Sequence, residues 1–235
     1  MKKFLTGILV LVPSMAFAQA NIANSPHDFS NGSTASISAT VANEATAQIC
    51  VFCHAPHNTN STRLLWNKTV DMTTALAWTD VTDTVNGTTL GGAPGEITAR
   101  CLSCHDGTAA IGETASYSAT QTMSDHASAV LDATGHLVTG SADFTRAAMD
   151  GNHPVSIPYA GETYNSVTSG ATVAAGFYLN TTTFSNVITY NDGTGEGIEC
   201  ASCHDPHVYG ATTATQPFLR ASKVGSAICI ECHDK

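Results

Sequence analysis

All eight cysteines of this 235-residue chain fall into four identical frames, each a pair of cysteines two residues apart with histidine directly behind. The frames are Cys50-Val51-Phe52-Cys53-His54, Cys101-Leu102-Ser103-Cys104-His105, Cys200-Ala201-Ser202-Cys203-His204 and Cys229-Ile230-Glu231-Cys232-His233. C-x-x-C-H is the attachment motif for c-type haem. Two thiols one helical turn apart add across the two vinyl groups of one porphyrin. The next histidine then lies under the iron as its proximal ligand. Eight cysteines in an exported chain also allow four disulfides. Disulfides give no reason for a histidine behind every pair. Zinc sites use paired cysteines too, without requiring histidine at the following position. The expectation is four covalent haems on these eight cysteines, with His54, His105, His204 and His233 as proximal ligands.

A chain built on four porphyrins needs little apolar core of its own, and the composition agrees. Aromatic residues are 7%, and the 43% hydrophobic fraction leans on alanine. Charged residues are 12% and the net charge is −10. So few cations make neither the basic patch of a nucleic-acid binder nor a polybasic membrane anchor.

Lys2 and Lys3, the apolar stretch Phe4 to Val12 and the small-residue site Ala16-Phe17-Ala18 read as an export leader. Residues 1–18 are expected to be removed, with 1–20 as the alternative. The apolar stretch is too short to cross about 30 Å of hydrocarbon, and no later stretch reaches about 18 apolar residues. The mature chain is expected to be exported and soluble. It is read as one domain over residues 19–235.

Six histidines lie outside the frames: His27, His57, His126, His136, His153 and His207. Four irons need four sixth ligands, so every iron can be bis-histidine. The methionines Met72, Met123 and Met149 sit in no pattern. Bis-histidine ligation, unlike His/Met, goes with low potentials. His57 and His207 each follow a proximal histidine by three residues, in His54-Ala55-Pro56-His57 and His204-Asp205-Pro206-His207. Neither can serve the iron of its own frame, whose opposite face it cannot reach. Each can serve another haem and draw two haems together. Residues 27–105 and 153–233 form an internal repeat. Each holds a wing histidine (His27 or His153), a C-x-x-C-H-x-P-H element and a second C-x-x-C-H. Pairing each wing with its own half is the simplest assignment, and crossing between halves is open. His126 and His136 are left over and read as surface residues.

Between the frames, Thr, Ser, Ala, Gly and Asn dominate, with turn signals at Asn86-Gly87, Gly91 to Gly95 and Asn191-Asp192-Gly193. Long structureless loops count against a compact domain unless something else fills the interior. The expected fold is mostly irregular coil with a few short helices and minimal strand, wrapped around a stacked tetrahaem core. The frames open as helical turns, Ala142–Met149 is a short helix, and Thr181–Tyr190 has strand propensity.

The ordered set of motifs resembles the tetrahaem members of the doubled C-x-x-C-H cytochromes, close to extracellular cytochrome nanowires of the OmcE type. The segments that carry the resemblance are Ser25 to Ser30, Cys50 to Asn58, Leu65-Trp66-Asn67, Cys101 to Gly107, Asn152-His153-Pro154-Val155, Cys200 to His207, Phe218-Leu219-Arg220 and Cys229 to His233. The resemblance implies coil on a continuous haem stack and bis-histidine irons, with His27, His57, His153 and His207 as distal ligands. It also implies head-to-tail polymers in which one haem takes its distal histidine from the adjoining subunit. His27, near the mature N-terminus, is the candidate for crossing, so His27→Ala should stop assembly while four haems stay attached.

The expected function is electron transfer by an extracellular filament, with copies of itself and a redox partner protein or extracellular acceptor as partners. The alternatives are a discrete periplasmic or secreted shuttle, and a multihaem reductase. A reductase needs an iron with an exchangeable position, against which the surplus of histidines argues.

Overall fold

The computed structural model describes residues 22–43, 45–57, 59, 64–82, 89–117, 120–126, 130–138, 144–159, 161–168, 185–209 and 218–233. The leader and Asn86-Gly87 lie outside them. The described chain is mostly turn and coil, as the composition led us to expect, with few helices and little strand.

The strands are two or three residues long. β1 (Ile37–Ala39) pairs antiparallel with β2 (Met123–Asp125), Ile37 opposite Asp125. Four more strands are β3 (Ile157–Pro158), β4 (Thr163–Tyr164), β5 (Val167–Thr168) and β6 (Tyr190–Asn191). With β7 (Glu196–Ile198) they form a three-stranded sheet ordered β3-β7-β6 and the hairpin β4-β5. The hairpin turns through Asn165 and Ser166, both at positive φ (51° and 62°), as a two-residue mirror-image turn requires.

Two expected elements differ. Residues 144–149 are a turn closed by a Thr145–Ala148 bridge, not a helix, and Ala142 and Asp143 lie outside the described residues. The backbone there is engaged elsewhere: the Ala77 amide donates to the Arg146 carbonyl and the Met149 amide to the Ala77 carbonyl, each at 2.7 Å. Of Thr181–Tyr190, only Tyr190 enters a strand, and 181–184 lie outside the described residues. The Ser185 and Asn186 amides donate to the Glu231 carboxylate and the Ile188 amide to the Ser202 carbonyl, which leaves no ladder to form.

Helical turns occur where the chemistry needs them. α1 (Glu96–His105) carries the whole second frame and α2 (Cys200–Cys203) the third. A 3-10 turn at Cys50–Phe52 opens the first. In frames one, three and four the histidine amide donates to the carbonyl of the first cysteine, at 2.8, 3.1 and 2.8 Å. The two residues between the cysteines point inward in three frames: Val51 and Phe52, Leu102 and Ser103, Ala201 and Ser202 are all buried. Side chains build two small apolar clusters. One gathers Phe29, Ile37, Val51, Phe52, Ile111 and Leu137, the other Leu76, Trp78, Leu90, Leu102 and Met149. Each cluster thus grips one frame by its intervening residues.

Glu199 joins α1 to α2. It is the N-cap of α2 and exchanges a capping box with Ser202. Its carboxylate also accepts from the Thr98 amide in the first turn of α1 (2.9 Å), from Ser156 Oγ (3.3 Å) and from the Tyr164 hydroxyl. Gly95, which precedes α1, has no side-chain cap to offer. A Cβ there would lie 1.7 Å from the Glu199 Oε1, so the close approach requires glycine. The Cys200 amide donates back to Thr98 Oγ1 at 3.1 Å.

Candidate haem sites

All eight cysteines are free thiols. Their sulfurs approach one another in chain order. Burial first, then the neighbouring Cys104, pushes the Cys53 thiol up to about 12. The Cys101 thiol donates to the Cys200 sulfur, which raises Cys101 and lowers Cys200. Burial, then Cys229 and Cys200, raises Cys203, and burial, then Cys203, raises Cys232 to about 11. The four frames therefore run side by side as one, two, three, four.

The imidazoles meet in pairs. His27 faces His105 with ring centroids 6.0 Å apart, His54 faces His207 at 6.1 Å, and His153 faces His233 at 6.2 Å. An imidazole nitrogen sits about 2 Å from a bound transition metal, so two rings on opposite sides of one metal have centroids about 6 Å apart. Each of the three pairs joins one frame histidine to one spare histidine. His27 and His153 stay within their own repeats, whereas His207 crosses to the first. Among the described residues, no imidazole faces His204 or His57 at this separation.

Three of the six paired rings have one nitrogen tied to oxygen. His54 Nδ1 is 2.7 Å from the Leu64 carbonyl and His153 Nδ1 is 2.8 Å from the Pro154 carbonyl. His207 Nδ1 is 3.3 Å from Asp205 Oδ1. The Pro206 carbonyl lies close enough to the His27 ring to raise its pKa against burial. Such bonds fix the ring orientation and leave the other nitrogen free to bind metal. These oxygen partners went unnoticed in the sequence. Only Asp205 carried a signal there, as an aspartate two residues ahead of His207 whose side chain turns the backbone. The matching position before His57 is Ala55, which offers no such tether. His57 is exposed.

His27 is held inside its own chain. Its ring stacks on Phe218 at 4.4 Å. Burial first, then His105, lowers its pKa to about 4, against the opposing Pro206 carbonyl. Burial likewise lowers His153 and His204, keeping these rings neutral as metal ligation requires. His126 and His136 serve local polar contacts instead. His126 Nε2 meets Ser38 Oγ at 2.8 Å, and His136 Nδ1 meets Thr134 Oγ1 at 2.8 Å.

The row of frames has a counterpart among known sequences. Residues 193–235 match the doubled CXXCH motif family. The match covers the third and fourth frames and supports a multihaem c-type cytochrome in electron transfer, with covalently bound haem c. No curated protein matches the chain. Among the described residues no helix is long and apolar enough to cross a membrane, and no cluster of three or more His, Cys, Asp or Glu side chains is arranged for a bare metal ion.

Proposed function

We propose that the chain is a tetrahaem electron carrier that polymerises head to tail into an extracellular filament after removal of residues 1–18. When bound, the haems supply one-electron carriers that cycle between ferric and ferrous iron. His54 with His207, His105 with His27, and His233 with His153 are the residues that would hold three of the irons. The observation that carries the reading is the ring spacing of 6.0–6.2 Å in these three pairs together with the two histidines left over. Among the described residues no imidazole faces His204 at this separation, and His57 is exposed beside the first frame. We assign His57 to the His204 iron of the next copy. A contact between two different surfaces of the same chain gives an open filament when its rotation does not close a ring. Acceptors are a redox partner protein or an external acceptor.

The same observation favours a second reading. A discrete chain whose His57 finds no partner leaves the His204 iron with an exchangeable position, as a reductase needs. Negative-stain microscopy with intact mass and low-temperature EPR separates them. Wild type should show filaments, polypeptide mass plus four haems, and only low-spin iron. His57→Ala should keep four haems, lose the filaments and turn one iron in four high-spin. His27→Ala should keep the filaments and turn a different iron high-spin. Filaments of normal length from His57→Ala refute the crossing. Wild type without filaments refutes the polymer: high-spin iron then selects the reductase and wholly low-spin iron the shuttle.

A further inference from the structure

Lys68 is fully buried, with no exposed surface, in a chain that has few cations. Its Nζ donates to three carbonyl oxygens: Ala110 at 3.2 Å, Ile111 at 2.7 Å and Glu113 at 2.7 Å. A neutral amine has two N–H bonds and cannot satisfy three acceptors; the ammonium has three. The geometry therefore holds a positive charge inside the protein. That charge lies between the first two frames. The preceding residue is tied to frame one, since the Asn67 amide donates to the Cys53 carbonyl at 2.9 Å and Asn67 Nδ2 to the Val51 carbonyl at 2.6 Å. The carbonyls that hold Lys68 belong to the loop leaving frame two, whose Ala109 amide donates to Ser103 at 2.6 Å. Among the described residues no carboxylate closes an ion pair with it: Glu113 meets Lys68 through its backbone carbonyl, and the Glu113 side chain bonds the Thr69 amide.

We propose that Lys68 sets the reduction potentials of the first two haems, raising both relative to the third and fourth. The inference rests on the haem assignment above. Reduction adds one electron to a ferric iron, with no bond made or broken, and so adds one negative charge. A buried cation stabilises that charge, and low exposure keeps salt from screening it. Among the described residues the cation beside frame three is Arg220, which donates to the Ala201 carbonyl at 2.9 Å, but Asp205 pairs with it at 3.2 Å and offsets its charge. The third frame is bracketed by two acids, Glu199 before Cys200 and Asp205 behind His204. Electrons on the row would therefore settle toward frames one and two.

The test is a potentiometric titration of the full haem-loaded protein, with haem count checked by intact mass. Lys68→Gln removes the charge and keeps two donors. At a fixed potential it should change the ferrous-to-ferric ratio at two haems by about tenfold, which is about 59 mV toward negative for one electron. Lys68→Arg keeps the charge and should leave the titration near wild type. The exposed Lys223→Gln should not move it. An unshifted Lys68→Gln with all haems attached overturns the proposal, as does an equal loss in Lys68→Arg, which would mark a packing role only. Should Lys68→Gln fail to fold, NMR redox titration of the wild type decides. The two highest potentials must belong to the haems on Cys50/Cys53 and Cys101/Cys104, and any other order overturns it. Absence of haem by mass would instead refute the function proposed above.

Discussion

Arg146 and Asp106 form an ion pair through Nε and Oδ2 with side chains only 6% and 4% exposed. Asp106 is the residue directly behind the second-frame histidine, so the pair fastens the end of α1. Arg146 Nη1 also donates to the carbonyls of Asp71 and Thr74, both at 3.1 Å. Arg146→Met keeps most of the volume and removes the charge. It leaves a buried carboxylate facing no cation, with only the Thr108 amide still donating to its other oxygen at 2.8 Å. Removing one partner of such a pair costs about 3–5 kcal/mol. That is a large share of the roughly 5–15 kcal/mol that holds a typical domain folded. Asp106→Asn in the same background removes the stranded charge and should recover much of the loss. The four-variant cycle should give a coupling of about 1–3 kcal/mol. Urea unfolding followed by far-UV circular dichroism measures all four stabilities. A loss below about 1 kcal/mol, or additivity within about 0.5 kcal/mol, refutes the argument that this pair is dry and mutually dependent.

Two further perturbations test the joint between the helices. In Gly197→Ala, a Cβ would fall 2.2 Å from the buried Tyr164 ring. Overpacking of this kind costs about 1–3 kcal/mol, and thermal unfolding should show it together with loss of the Tyr164–Glu199 contact; a stability equal to wild type would place the ring elsewhere. Burial, opposed by the bonds from Thr98, Tyr164 and Ser156, raises the Glu199 carboxyl above its ordinary value of 4.5. The folded state then binds that proton more tightly than the unfolded chain, so the contribution is full below about 4.5 and falls as pH rises through the higher folded value. The stability of Glu199→Gln relative to wild type should therefore improve from pH 4 to pH 7 in parallel urea titrations, and a difference independent of pH would contradict the sign.

What the sequence revealed and what it hid divide along chain distance. The four frames, the spare histidines and the coil character were legible because each rests on residues within a few positions of one another. Cys50 to His54 closes one helical turn by itself, and glycine- and threonine-rich segments lack the periodicity for longer elements. The facing of rings was not legible. His207 lies against His54 across most of the chain, and that contact is set by where Asp205 and the β-bridge from His204 to Leu219 hold the segment. His27 looked like a loose arm because it is near the leader. Its stacking on Phe218 depends on a residue nearly two hundred positions away. The helix expected over Ala142–Met149 failed for the same reason, since Ala77 takes its backbone groups. Lys68 gave no sign at all, because a lone lysine in a polar sequence looks like surface.

The single carboxylate that starts both α1 and α2 has a consequence for how such a chain can be divided. The internal repeat suggests two interchangeable cassettes, and a designer would cut between them to lengthen or shorten the relay two haems at a time. Glu199 belongs to the second cassette, yet it completes the first helical turn of the first, and Thr98 returns the bond to Cys200. A cut between residues 105 and 153 would strip α1 of its only side-chain acceptor at Thr98 and deprive His54 of the facing ring of His207. The unit that can be copied, swapped or truncated is thus the whole chain. On the filament proposed above, relays of different length would be made by adding subunits, not by splicing halves.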